Sequence, residues 1–214
     1  MYPPQPLKLD DCRVRGPGAE LYIVEGDSAS SAVCRVRNEH HQAVLPMQGK
    51  PLNAMRATAR KVAATPWLAA LTDALGTGMG DSFDLGKARY DRVVLLMDPD
   101  ADGIHCGALL LMFFRRWMQP LLESGRIAMA RAPLATIRVT DGPIHVRSEN
   151  EYRLHCERLL GAGTAFESVR YRGLAGMDLA VLATTCVDPT TRVLSPVGIA
   201  DADAAIAVFG GSLI

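Results

Sequence analysis

The sequence predicts an α/β fold, a mostly parallel sheet with helices on both faces, followed by a smaller α+β region. Three observations carry this. Two short aliphatic and β-branched runs, Leu21-Tyr22-Ile23-Val24 and Val93-Val94-Leu95-Leu96-Met97, are bounded by Gly, Pro and Asp, the pattern of buried strands. Helix-length stretches lie between the apolar runs, the order that lays strands parallel with helices outside them. Both runs end in acids, Glu25-Gly26-Asp27-Ser28-Ala29 and Asp98-Pro99-Asp100-Ala101-Asp102-Gly103. In such sheets functional groups collect at the carboxyl ends of the strands.

Taken in order, residues 1 to about 18 are rich in Pro and Gly and are expected to be extended. The core is expected over 19–133 and a C-terminal region over 134–214. After the first strand, Ser28 to Val36 reads as a helix capped by Asp27 or Ser28. Gln42 to Met47 is a second strand. Asn53 to Ala64 reads as a helix with Arg56 and Arg60 four apart on one face. Pro66 starts another helix at its first turn, and that helix ends near Gly76. The third strand carries the aspartates. Alternation along an extended chain would turn Asp98, Asp100 and Asp102 to one side. His105 to about Leu122 is a helix apolar nearly all round, hence buried. Ile127 to Ala132 is a fourth strand. Thr136 to Arg147, with Asp141-Gly142 in its middle, is a hairpin. Helices follow over Glu149–Leu160 and about Asp201–Phe209.

Composition narrows the function classes. The chain has 214 residues, 49% of them hydrophobic and 21% charged, so it is globular and long enough for a real core. Lys plus Arg equals Asp plus Glu at 23 each, whereas a stand-alone nucleic-acid-binding domain carries a basic excess. Five scattered cysteines without a Cys-x-x-Cys fit reduced thiols in the cytoplasm and argue against a zinc site or a disulfide framework. The start lacks a basic-then-apolar signal pattern, and the longest apolar stretch, Cys106 to Phe114, is too short to span a membrane. The acidic cluster suits Mg²⁺, a hard cation that takes one or two carboxylates and keeps several waters.

Glu25-Gly26-Asp27-Ser28-Ala29 followed by Asp98-x-Asp100-x-Asp102-Gly103-x-His105 resembles the TOPRIM domain, a Rossmann-like fold, of the type IIA topoisomerases, in particular the B subunits of DNA gyrase and topoisomerase IV. Lys8-Leu9-x-Asp11-Cys12, Pro46-Met47-Gln48-Gly49-Lys50-Pro51-Leu52-Asn53, Ala74-Leu75-Gly76-Thr77-Gly78-Met79-Gly80, Arg170-Tyr171-Arg172-Gly173-Leu174 and Asp188-Pro189-x-Thr191-Arg192 resemble further segments of these B subunits. The last helix resembles its counterpart loosely, so the likeness runs from Leu7 to Phe209.

The resemblance implies the following. Glu25 is a general acid acting on the ribose 3′-oxygen and shares in metal binding. Asp98, Asp100 and Asp102 are Mg²⁺ ligands, with Mn²⁺ or Ca²⁺ as substitutes. Lys50, Asn53, Arg56 and His105 meet DNA. On the residues alone, Glu25 also reads as a helix cap or loop acid, the aspartates as a solvated turn, His105 as a helix cap, and Lys50 and the Arg56–Arg60–Lys61 stripe as a solvated face. The partners implied are double-stranded DNA, a gyrase A-type subunit carrying the catalytic tyrosine, and a separate ATPase, since no ATP site is expected in this chain. Departures from the family pattern are Ser30-Ser31, Cys34, Gln48, Gly107, Ala175-Gly176 and Pro99. They are expected where DNA should touch. Carboxylates are kept and cations lost, which implies metal binding with weakened DNA affinity. Two functions follow: a topoisomerase part active only with partners, or a gyrase-like module that regulates, protects or inhibits gyrase. A free TOPRIM nuclease is a third.

Overall fold

The computed structural model describes residues 8–210, so the first seven residues of the expected extended segment, Leu7 included, lie outside the described residues. Strand β1 (Gly16–Glu25) leads through helix α1 (Gly26–Cys34) to β2 (Gln42–Met47). Helices α2 (Ala59–Ala63) and α3 (Pro66–Leu75) then cross to β3 (Tyr90–Met97). Helix α4 (Ala101–Trp117) and the short α5 (Gln119–Glu123) lead to β4 (Ile127–Arg131). The chain continues as β5 (Ala135–Val139), β6 (Gly142–Val146), α6 (Glu149–Gly161), β7 (Glu167–Arg170), α7 (Leu179–Leu182), β8 (Leu194–Pro196) and α8 (Ile199–Phe209).

The central sheet has the order β2-β1-β3-β4-β8, with the first four strands parallel and β8 antiparallel at the edge. A separate antiparallel sheet, β6-β5-β7, packs Ala135, Ile137 and Val146 with Leu159 of α6. The α/β class and the mostly parallel sheet expected from the apolar runs are therefore present. The chain passes from β1 to β2 on one side and then crosses back to β3 on the other, so the carboxyl ends of β1 and β3 flank a topological switch point.

Alternation splits each central strand between two cores. Leu21, Ile23, Leu45, Val93 and Leu95 face α3 and α4, with Leu71, Phe113 and Phe114, and the Ala202 and Ala205 side of α8. Tyr22, Val24, Val44, Val94 and Leu96 face Ala32 and Val33 of α1, and residues 171–187 with Tyr171, Leu174, Leu182 and Cys186. That second set of residues lies far down the chain and packs on this face of the sheet.

Several local expectations are corrected. Helix α1 starts at Gly26, with Glu25 as its N-cap and no side-chain cap bond, so neither Asp27 nor Ser28 caps it. Residues 53–64 are not one helix. Asn53 Oδ1 accepts the Met55 N–H at 3.1 Å and forms a turn, and Thr58 caps α2 through the Lys61 N–H. Arg56 therefore shares no helix face with Arg60. Helix α4 begins four residues early, because Asp100 Oδ1 accepts the Gly103 N–H at 2.8 Å. It stops at Met118, and Pro120 sits in the first turn of α5. Strands β7 and β8 and helix α7 have no counterpart in the sequence reading. Strand β7 is exposed throughout and β8 is three residues long with a proline, so neither shows a period. Among the described residues no helix is long and apolar enough to cross a membrane.

Two buried ion pairs tie distant segments to the sheet. Arg192, 4% exposed, grips Glu20 of β1, 8% exposed, and donates to the Val187 carbonyl at 3.2 Å. Gln42 Nε2 of β2 also donates to Glu20 at 3.0 Å. Removing one member of a buried pair leaves the other charge uncompensated. Arg192→Met should cost about 3–5 kcal/mol in urea unfolding, with Glu20→Gln in the same chain restoring part of it. An unchanged midpoint for Arg192→Met would show that the pair holds nothing.

At the other end of the chain, Asp11 takes Arg89 Nη2 at 2.8 Å and the Tyr90 hydroxyl at 2.7 Å, with Arg15 beside them. Burial pushes the Asp11 carboxyl up, but hydrogen bonds from Arg15 and Tyr90 outweigh it and hold it below its ordinary 3.8. A folded pKa below the unfolded one stabilises above the unfolded value and is lost as pH falls through the folded value. Asp11→Asn should therefore cost about 1–3 kcal/mol at neutral pH. That gap should close as urea titrations are taken below pH 3.8. A gap independent of pH would show that packing alone is lost.

Candidate functional site

The acidic motifs meet at the switch point. Glu25 ends β1, and Gly26 after it has φ +71°, a conformation that glycine adopts without strain where the strand turns into α1. Asp98 follows β3 directly, and its N–H donates to Glu25 Oε1 at 3.0 Å. Pro99 turns the chain, Asp100 caps α4, and Asp102 lies in the helix's first turn. The three aspartates thus do not alternate along one extended edge. The turn after Asp98 turns Asp102 outward, where it is 77% exposed and accepts from Lys50 Nζ at 2.8 Å.

Gly103 makes the arrangement possible. A Cβ there would lie 2.1 Å from the Asp98 carbonyl oxygen and 2.8 Å from Glu25 Oε1. From the other side Gly173 closes on Asp98, a Cβ there falling 2.9 Å from Oδ2, and the Leu174 N–H donates to Asp98 Oδ1 at 2.8 Å. In the sequence Arg170–Leu174 stands out only as a resembling segment. The glycine before Leu174 is the one local signal for a close backbone approach.

The charges are set by burial and crowding. Burial raises the Glu25 carboxyl above its ordinary value, and Asp98 and Asp100 raise it further, while the Asp98 N–H and the Cys106 thiol oppose. Burial likewise raises Asp98, opposed by the Leu174 N–H and helped by Asp100. Lys50 holds the exposed Asp102 below its ordinary value. Burial and the charge of Glu25 push the Cys106 thiol up to about 11, so it stays protonated beside the acid. Cys106, Glu25, Lys50, Asp102 and Met47 line a cavity of about 260 Å³.

The expected DNA-contacting residues take separate places. Lys50 lies by the acids, with Nζ 3.4 Å from His105 Nδ1. The His105 ring stacks on Phe209, centroids 5.2 Å apart at 20°, and Asp100, not His105, caps the helix. Asn53 Nδ2 lies 3.5 Å from the Phe209 carbonyl, and Arg56 Nε donates to the Gly210 carbonyl at 3.2 Å. Both thus meet the carboxyl end of α8. Two of the expected surface departures are instead interior: Ser30 is buried on α1, and Gly107 is buried on α4.

Among the described residues no three His, Cys, Asp or Glu side chains converge as a ready metal cage. Glu25, Asp98 and Asp100, which the resemblance gives as Mg²⁺ ligands, nonetheless lie near one another. Asp100 is close enough to raise both Glu25 and Asp98, and Asp98 to raise Glu25. All three are hard oxygen donors of the kind the ion takes one or two at a time.

The mostly parallel sheet thus carries a glutamate and an aspartate at adjacent strand ends, on either side of the switch point. A Toprim domain family model matches residues 20–132, and the chain belongs to that family. Over 210 residues it is 40% identical to the DNA gyrase B subunit of Mycobacterium tuberculosis (strain ATCC 25618 / H37Rv), covering 95% of this chain and 31% of that protein. It is 39% identical over 198 residues to the DNA gyrase B subunit of Spiroplasma citri, covering 92% and 31%. The corresponding B subunit of Archaeoglobus fulgidus gyrase gives 38% over 205 residues, 95% and 32%. The chain spans just under a third of the length of these curated relatives.

Gly103→Ala cannot be relieved by a side-chain shift, since the near atom is backbone. It should cost about 1–3 kcal/mol of stability, the overpacking range, read as a lowered midpoint in urea unfolding. Wild-type stability in this variant would contradict the close approach.

Proposed function

We propose that the chain is the Toprim part of a type IIA topoisomerase-like protein, binding Mg²⁺ and assisting DNA cleavage and religation with a partner that supplies the tyrosine. In this reading residues 19–133 are the Toprim core and 134–214 the tail region of the B-subunit type, and the protein works in the cytoplasm. The observation that carries it is the hydrogen bond from the Asp98 N–H to the Glu25 carboxylate, which ties the two acidic strand ends together at the switch point.

Glu25 is the proton carrier. Its raised pKa lets it give a proton to the ribose 3′-oxygen on religation and take one on cleavage. Asp98, Asp100 and Glu25 would hold Mg²⁺, and the ion when bound supplies positive charge to the phosphate. Lys50, already facing Asp102 and His105, would exchange an ion pair for a DNA phosphate. The Leu174 N–H keeps Asp98 oriented. Double-stranded DNA, a gyrase A-type subunit and a separate ATPase are the partners this reading needs, and the chain alone does not turn over.

A second reading, a catalytically weak gyrase-like module that binds or regulates gyrase, rests on a specific observation. The cations that would meet DNA are engaged within the chain: Lys50 by Asp102, Arg56 by the end of α8.

The two are separated by plasmid relaxation with the A-type subunit of the same organism, an ATPase fragment and Mg²⁺. The first reading expects relaxation that falls at least about a hundredfold in Glu25→Ala. Absence of relaxation, with inhibition or protection of intact gyrase that Glu25→Ala leaves unaltered, would overturn it in favour of the second.

A further inference from the structure

Beside the acidic site, on the other flank of the α4 amino end, the ends of β3 and β4 enclose a cavity of about 370 Å³. That is within the range of small-molecule pockets, roughly 300–1,000 Å³. We propose that it binds a small organic anion, an apolar or aromatic body carrying one carboxylate or phosphate. The proposal does not rest on the DNA reading above.

The floor is apolar and adaptable. Met97 and Met129 line it, with Ala132 behind and Ile104, 67% exposed, at the mouth. Methionines fill irregular space and make favourable contacts with aromatic rings. Gly107 borders the space without a side chain of its own. A Cβ there would lie 3.6 Å from Met129 Cε and 3.7 Å from Met97 Cγ, so any longer side chain would grow into the cavity.

The polar groups are few and mostly cationic. Arg131 and Arg147 both line the cavity, and among the described residues neither forms a salt bridge with a carboxylate. Arg147 is held in place by its Nε, which donates to the Arg131 carbonyl at 3.1 Å, leaving its terminal nitrogens available. A guanidinium presents paired donors that match a carboxylate or phosphate edge. The acid in the wall, Asp98, has one oxygen committed to the Leu174 N–H. An apolar floor with two guanidiniums that, among the described residues, face no carboxylate in a salt bridge therefore selects an amphiphilic anion over a neutral apolar ligand or a bare ion.

The test uses the whole chain labelled with ¹³C at the methionine methyls. It is titrated with 2-naphthoate, the isosteric neutral 2-naphthamide and inorganic phosphate. Naphthoate should move the Met97 and Met129 resonances saturably, and the amide and phosphate should each bind at least about tenfold more weakly, the loss of one charge-assisted contact or of the apolar body. Gly107→Leu should abolish the shifts by filling the cavity. Should that variant not fold, Arg131→Gln, on an exposed residue, should weaken naphthoate without changing the amide. Equal affinity for naphthoate and amide, equal affinity for naphthoate and phosphate, or shifts that bypass Met97 and Met129 would each overturn the proposal.

Discussion

The acidic site depends on the approach of one backbone to another at Gly103. With only a hydrogen on its α-carbon facing the sheet, the first turn of α4 can lie against the Asp98 carbonyl and the Glu25 carboxylate. That contact fixes the carboxyl ends of β1 and β3 with respect to the helix. Asp98 then presents its N–H to Glu25 on one side and its carboxylate to the Leu174 N–H on the other. The geometry is carried by two strand ends and a helix terminus, the rigid kind of support on which a site keeps its spacing.

The same compactness creates an electrostatic problem. Burial raises both Glu25 and Asp98, and the charge of Asp100 raises each of them further. Relief comes from donors that carry no formal charge: the Asp98 N–H on Glu25, the Leu174 N–H on Asp98, and the Gly103 N–H on Asp100. The amino end of α4 adds the positive pole of its dipole. The nearby lysine goes elsewhere, since Lys50 pairs with the outward Asp102. The inner carboxylates are thus left short of a full positive charge, the condition in which a divalent ion or a proton gains most by entering.

Much of this was legible in the sequence, for physical reasons that differ by residue. Val93 to Met97 read as a strand because a strand covered on both faces needs an unbroken apolar run. Pro66 and Gly76 marked α3 because each is tied to one helix end. Asp-Pro-Asp-Ala-Asp-Gly misled because a run of alternating acids suits an extended edge as well as a helix start, and the hydrogen bond from Gly103 to Asp100 decided between them. Arg192 was visible only as part of a resembling segment. Its role is set by Glu20, 172 residues away, and no local pattern encodes that distance. The helix expected over 53–64 failed because Asn53 and Thr58 each bond their own backbone nearby, competing with the helix.

The departures from the family pattern take on a different meaning once placed in the fold. As sequence alone they are changes expected on a DNA surface, Cys34, Gln48 and Gly107 among them standing where the family has a cation. In the structure Ser30 lies inside α1's contact with the sheet, and Gly107 lies between Met97 and Met129. A glycine in the middle of a buried helix is unfavourable by about 0.5–1 kcal/mol relative to alanine. Nothing on the far side of Gly107 requires that absence of a side chain, since a Cβ would meet only ordinary contact distances. The position therefore differs from Gly103, where a Cβ cannot fit at all. One glycine holds the acidic site together, and the other, four residues along the same helix, leaves space beside it.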